Sequence, residues 1–132
     1  FRQYKIPGAA YLLNSTDNRE VHKYLNAADL GTLIREDHLM NQVASPTKFA
    51  EYLMCGLPVA ISPNVGDFSA LVREKNWGFI YPNGFLESSK IEALMKKLYI
   101  GYKLNIAQFG KEVFSKQSRL EEIIKIYTIL SE

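Results

Sequence analysis

The sequence is poor in the residues that build disulfide frameworks, metal centres and membrane spans. Cys55 is the one cysteine, which excludes an internal disulfide, fits a reducing compartment and is interpreted as a small core residue. His22 and His38 lie far apart without partners at metal-ligand spacing, so no metal is expected. The longest largely apolar run, residues 52–61, is much shorter than the roughly 20 residues of a membrane-spanning helix.

Charge and length narrow the class of protein further. The 16 basic and 14 acidic side chains leave a net charge of +2, and they are dispersed along the chain. Nucleic-acid-binding domains carry clustered basic residues, so no nucleic-acid partner is expected. A chain of 132 residues is long enough for one domain with one hydrophobic core. We therefore expect a single folded domain over residues 1–132.

Apolar runs alternate with helical stretches along the chain. Short apolar runs predict strands, and apolar residues spaced three and four apart predict helices between them. The strands are expected at 9–13, 30–34, 58–61 and 79–81, and the helices at about 17–28, 46–55 and 67–74, with closing helices over about 88–132. This order predicts an α/β fold, a Rossmann-like parallel sheet with helices on both faces. Such sheets bind ligands at the carboxyl ends of their strands, which here are the loops 14–17, 35–45, 62–67 and 81–84.

The helix predicted over residues 46–55 has clear start and stop signals. Ser45 is a capping residue, and Pro46 occupies the first helical position, where proline is tolerated. Gly56 can adopt the left-handed conformation that ends a helix. The apolar run that follows predicts a strand that is buried on both faces.

This helix has one narrow polar edge. Thr47, Lys48 and Glu51 fall within about 100° of one another on the helical wheel. The edge either faces solvent with a Lys48–Glu51 ion pair, or it faces a cleft. In a cleft, the helix start at Ser45–Thr47 and Lys48 would hold a diphosphate, and Glu51 would accept hydrogen bonds from a ribose diol. Arg35, at the end of a predicted strand, either contacts the phosphate or acceptor there or is an ordinary surface residue.

Several segments resemble the nucleotide-sugar-binding C-terminal domain of GT-B glycosyltransferases of the retaining group 1 type. The segments are Ser-Pro-Thr-Lys at 45–48, Glu-Tyr-Leu-Met-Cys-Gly-Leu-Pro-Val at 51–59, and weaker matches at 24–30, 65–67 and 78–79. The family's ribose-binding glutamate corresponds to Glu51, and the loop containing Gly66 belongs to the same donor site. Many members have an earlier glutamate where this chain has Val43, so the pattern is incomplete there.

The resemblance implies an enzyme that transfers a hexose from a nucleoside diphosphate sugar to an acceptor, in polysaccharide or envelope glycan synthesis. It implies no metal and no cofactor beyond that substrate, a cytoplasmic location, and peripheral membrane association of the full-length enzyme. The family's basic Gly-Arg…Lys-Gly stretch does not precede Ala9. We therefore expect the front of the donor domain and an N-terminal acceptor-binding domain to be missing, and the fragment alone to be inactive.

A non-catalytic interaction module is the alternative. A flavodoxin-like α/β domain would use the same sheet and bind a protein partner through an exposed helix such as 120–130. Such a module has no use for Lys48 and Glu51 in a cleft, so substitution of Glu51 distinguishes the two hypotheses.

Overall fold

The computed structural model describes residues 7–43, 45–81 and 88–130. Most of the predicted loop 81–84, and the last two residues of the predicted closing helices, lie outside these ranges. The described residues form three strands, β1 (Gly31–Leu33), β2 (Val59–Ile61) and β3 (Gly78–Ile80). They also form seven α-helices: α1 (Val21–Asn26), α2 (Leu39–Gln42), α3 (Thr47–Met54), α4 (Phe68–Lys75), α5 (Ser88–Lys97), α6 (Ile100–Phe114) and α7 (Lys116–Leu130).

The three strands form one parallel sheet in the order β1-β2-β3. Leu33 pairs in register with Ile61, and Ile61 pairs with Ile80. The predicted α/β class, the parallel sheet and three of the four predicted strands are therefore confirmed. This architecture is compatible with a Rossmann-like fold, and many other α/β proteins share it.

The strand predicted over residues 9–13 is wrong. Gly8–Ala10 form a short 3-10 turn, and no strand follows it before α1. Leu12 and Leu13 are 79% and 73% exposed, so this apolar run is not buried by the described residues. A strand requires a neighbouring strand as well as an apolar run, and residues 9–13 are not paired with β1, β2 or β3.

One face of the sheet packs against α3, α4 and α6. Alternate strand residues point to the same face of a sheet, and those on this face belong to the buried core. The core cluster comprises Leu33, Val59 and Ile61 of the strands, Phe49 and Leu53 of α3, Val65 and Val72 around α4, and Ile106 of α6. On the other face, α5 lies beside Phe79, while Thr32 is exposed. The predicted helical cover of both faces is therefore present in part.

Two glycines allow α3 to pack closely and to stop where it does. Gly56 has φ +72°, so the predicted left-handed helix stop is confirmed. Its N–H donates to the carbonyl of Leu53, and the next amide donates to Tyr52, which closes the helix end. Gly110 of α6 lies against the backbone of α3, where an added Cβ would be 2.6 Å from the amide nitrogen of Met54. The position of α3 in the fold therefore depends on its contact with α6.

The segment between β1 and α3 is more regular than its sequence indicates. Residues 35–44 have no apolar periodicity, yet Leu39–Gln42 form the short helix α2. His38 caps this helix, because its Nδ1 accepts the backbone N–H of Met40 at 3.2 Å. This capping contact and the hydrogen bonds of Asn41, described below, hold the segment at the carboxyl end of the sheet.

Candidate functional site

The carboxyl ends of β1 and β2 are joined by a buried serine. Ser62 directly follows β2 and is 2% exposed. Its Oγ accepts the backbone N–H of Arg35 at 2.8 Å, and its own N–H donates to the carbonyl of Leu33. Its carbonyl accepts the hydroxyl of Ser69 at 2.9 Å. These bonds satisfy the buried polar groups and hold the loops after β1 and β2 together.

Asn41 of α2 brings two predicted site residues together. Its side-chain Oδ1 accepts a hydrogen bond from Nη1 of Arg35 at 3.2 Å, and its backbone carbonyl accepts the N–H of Gly66 at 3.1 Å. Its Nδ2 donates to the carbonyl of Glu36 at 2.9 Å. Because the Gly66 N–H is engaged in this way, Gly66 anchors the loop and does not present a free donor to a ligand.

The start of α3 differs from its prediction by one residue. The helix begins at Thr47, and Pro46 occupies the N-cap with extended backbone (φ −70°, ψ 121°) and no side-chain capping bond. Ser45 is therefore not the cap, because the extended backbone of Pro46 delays the start of the helix to Thr47 and leaves Ser45 one residue before the cap. Ser45, Thr47 and Lys48 are exposed. The first N–H groups of a helix have no intrahelical partner, so this end carries a partial positive charge.

Glu51 lies half-buried in a groove whose lining does not include Arg35 or Gly66. The groove has a volume of about 400 Å³, and α1, α3 and α6 supply its walls. Its lining includes Val21, His22 and Leu25 of α1, Met54 and Cys55 at the end of α3, and Lys111 of α6. The predicted site residues therefore occupy two places, the carboxyl end of the sheet and this groove. Lys48 lies one turn before Glu51 on the same helix, and its position in the sequence is between Arg35 and Glu51.

Glu51 and Lys48 do not pair with each other. Neither side chain has a hydrogen bond or an ion pair with the residues that the structure describes. The ion pair required by the solvent-edge alternative is thus not formed within that part of the chain. Both groups are available to a ligand that carries matching chemistry.

The thiol in the groove is not activated. Burial raises the pKa of Cys55, the nearby Glu51 carboxylate raises it further, and the Lys111 ammonium group acts in the opposite direction. A thiol with a raised pKa holds less of the nucleophilic thiolate at neutral pH. This agrees with the expectation that Cys55 is not a nucleophile. The expectation of a core residue is wrong, because Cys55 is only partly buried and lines the groove.

Sequence reasoning missed Asn41, Ser62 and Ser69. Ser62 had a usable signal, because it is the first polar residue after a buried strand in a predicted parallel sheet. Asn41 had none beyond its place in a polar segment, since its role depends on contacts with residues distant in sequence.

Among the residues described, no group of three or more His, Cys, Asp or Glu side chains could hold a metal ion. No helix within the described ranges has both the length and the apolar character needed to cross a bilayer.

The chain matches no protein-family model, no curated protein and no solved structure.

Proposed function

We propose that this chain is the nucleotide-sugar-binding domain of a GT-B glycosyltransferase that transfers a hexose from a nucleoside diphosphate sugar. The observation that carries the proposal is the state of Glu51. Glu51 is a half-buried residue that lines a groove, and its carboxylate lacks a hydrogen-bond or ion-pair partner among the described residues. No buried side-chain oxygen among the described residues lacks a hydrogen bond, so the Glu51 oxygens contact solvent in the groove and can be reached by a ligand.

The groove offers the surface that a nucleoside requires. Val21, Leu25 and Met54 supply apolar contact area, and Asn18 and Asn26 add polar groups. A volume of about 400 Å³ falls within the usual range for small-molecule sites. A carboxylate has two acceptor oxygens and no donor, so Glu51 suits the vicinal hydroxyls of a ribose.

The diphosphate is assigned to the start of α3. Lys48 lies three residues before Glu51, a rise of about 4.5 Å along the same helical face. This spacing lets the two residues contact adjacent parts of one nucleotide. The exposed helix start and the Lys48 ammonium group both favour an anion. Arg35, held by Asn41 at the carboxyl end of the sheet, is the further cation that we assign to the diphosphate.

These groups would act on the leaving nucleoside diphosphate. Negative charge builds on the diphosphate as the sugar departs, and cations and backbone dipoles fixed in advance stabilise that charge. An N-terminal domain of the same enzyme would bind the acceptor, at the cytoplasmic face of a membrane. Positioning of the acceptor against the donor contributes much of such a reaction, so we expect the 132-residue chain alone to bind but not to turn over.

A nucleotide titration tests the proposal. Backbone amide NMR spectra of the chain are recorded with increasing UDP, GDP or ADP. One of the three is expected to shift the amides of residues 45–51 at micromolar to millimolar concentration. Glu51→Ala should weaken that binding about tenfold or more, because two charge-assisted hydrogen bonds are lost.

A matched control separates ligand contact from general charge effects. Glu74→Ala removes an exposed carboxylate from α4, whose partner is the neighbouring Lys75, and should leave the affinity unchanged. Equal affinity of Glu51→Ala and Glu74→Ala would contradict the ribose assignment. Absence of any shift with all three nucleotides at millimolar concentration would contradict the proposed function.

The exposed helix α7 favours a second candidate, the non-catalytic interaction module. Its apolar side chains are at least half exposed, and Ile129 and Leu130 reach 72% and 77%. A helix with so much exposed apolar surface normally packs against something. A chain that binds no nucleotide, and that tolerates Glu51→Ala without any change, would support this candidate instead.

A further inference from the structure

We infer that Asn41 is a positioning residue that holds the Arg35 guanidinium in place for a diphosphate group, an inference that rests on the proposed function. Arg35 follows β1 and its side chain is exposed, so without a partner it would sample many rotamers. The contact between its Nη1 and Oδ1 of Asn41, at 3.2 Å, restricts that freedom. A cation fixed before the ligand arrives loses less conformational entropy on binding.

The side-chain amide of Asn41 is oriented by its two neighbours. Its oxygen faces the guanidinium, which only donates, and its nitrogen faces the carbonyl of Glu36, which only accepts. The flipped amide would oppose donor with donor and acceptor with acceptor. The orientation that points the oxygen at Arg35 is therefore the one that both contacts require.

The backbone of Asn41 is itself anchored to the next loop. Its carbonyl accepts the N–H of Gly66, which belongs to the loop between β2 and α4. Arg35 is tied to the end of β2 through its own backbone N–H and Ser62. Arg35 and Asn41 are thus both fixed to the carboxyl end of the sheet, and their side chains meet there. The guanidinium retains further N–H donors that have no partner among the described residues and that can bind an anion.

A double-mutant cycle on the full 132-residue chain tests this role. Arg35→Ala, Asn41→Ala and the double variant are titrated with UDP, GDP and ADP, and the dissociation constants are compared with those of the unmodified chain. Alanine at position 41 keeps the backbone carbonyl that binds Gly66, so only the side-chain contacts are removed. Gln42→Ala is the matched control, because it removes another side-chain hydrogen bond of α2, to Asp37, that does not involve Arg35.

We expect Asn41→Ala and Arg35→Ala each to weaken nucleotide binding about tenfold, and Gln42→Ala to change it less than about twofold. In the Arg35→Ala background, Asn41→Ala should not weaken nucleotide binding further, because Asn41 acts on the ligand only through Arg35. In the ligand-free chain, Asn41→Ala should also shift the NMR signal of the Arg35 Nε–H group. Loss of packing alone would not produce this combination.

Three results would overturn the inference. Additive effects of the two substitutions would mean that Asn41 does not act through Arg35. An Asn41→Ala chain that binds as tightly as the Gln42→Ala control would mean that it does not act on binding. If the unmodified chain binds none of the three nucleotides, the proposed function fails and this inference fails with it, a result distinct from the first two.

Discussion

Replacement of Gly110 by alanine probes the contact that places α3, the helix that carries Lys48 and Glu51. Gly110 is buried in α6, and its Cα faces the backbone of α3. An added Cβ would lie 2.6 Å from both the carbonyl carbon of Leu53 and the amide nitrogen of Met54. Both atoms belong to the backbone, so neither can move away without shifting the whole helix.

Two effects of opposite sign determine how much Gly110→Ala changes the free energy of unfolding. Alanine is a better helix former than glycine, which favours the variant by about 0.8–1.0 kcal/mol. Overpacking a close contact costs about 1–3 kcal/mol, and a backbone contact at this distance belongs in the upper part of that range. We therefore expect Gly110→Ala to lower the free energy of unfolding by about 1–2 kcal/mol, which for a domain of this size lowers the Tm by roughly 3–8 °C.

The same substitution at Gly101 is the control. Gly101 lies in the first turn of α6, and its added Cβ would meet only the ring of Tyr99, at 2.9 Å. Tyr99 is 63% exposed and can rotate away, so Gly101→Ala should gain helix propensity and raise stability slightly. Thermal and urea unfolding, followed by circular dichroism, measure both variants. A Gly110→Ala chain as stable as the Gly101→Ala chain would refute the packing argument.

Two further predictions concern the core and the response to alkaline pH. Phe49 is fully buried and stacks on Phe68 with ring centroids 4.3 Å apart, so Phe49→Ala should cost about 3–5 kcal/mol in urea unfolding, and Phe49→Leu clearly less. An equal loss of stability in Phe49→Ala and Phe49→Leu would contradict the packing role of Phe49. Burial, with a smaller effect of Tyr99, raises the pKa of Tyr102 to about 12, so its stabilisation should be complete below pH 10 and lost as the pH rises towards 12. Burial and the Glu51 carboxylate also raise the pKa of Tyr52, so absorbance titration should show more than one late-ionising phenol. Tyr102→Phe should remove one of them, and an unchanged titration in that variant would contradict the assignment.

The local features that the sequence predicted are those set by short-range chemistry. Gly56 ends α3 because few other residues adopt φ +72° at low cost. The apolar runs at 30–34 and 58–61 contain the parallel strands β1 and β2. A chain in which strands and helices alternate has few other arrangements. The prediction failed at residues 9–13, where strand formation depends on a hydrogen-bonded neighbour that an apolar run cannot specify.

The candidate site also has features set by the local sequence and features set by contacts between distant residues. The identity of the residues that could bind an anion or a diol follows from the sequence, since charge and hydrogen-bonding capacity belong to the side chain. The helical period also places Lys48 and Glu51 on one face of α3. By contrast, the packing of distant segments places Glu51 in a groove with α1 and α6, and it lets Asn41 join Arg35 to Gly66. These contacts bring together residues from separate loops and helices. The distances between these loops and helices are set by the sheet and by the packing of α6 on α3. A local sequence pattern does not contain those distances.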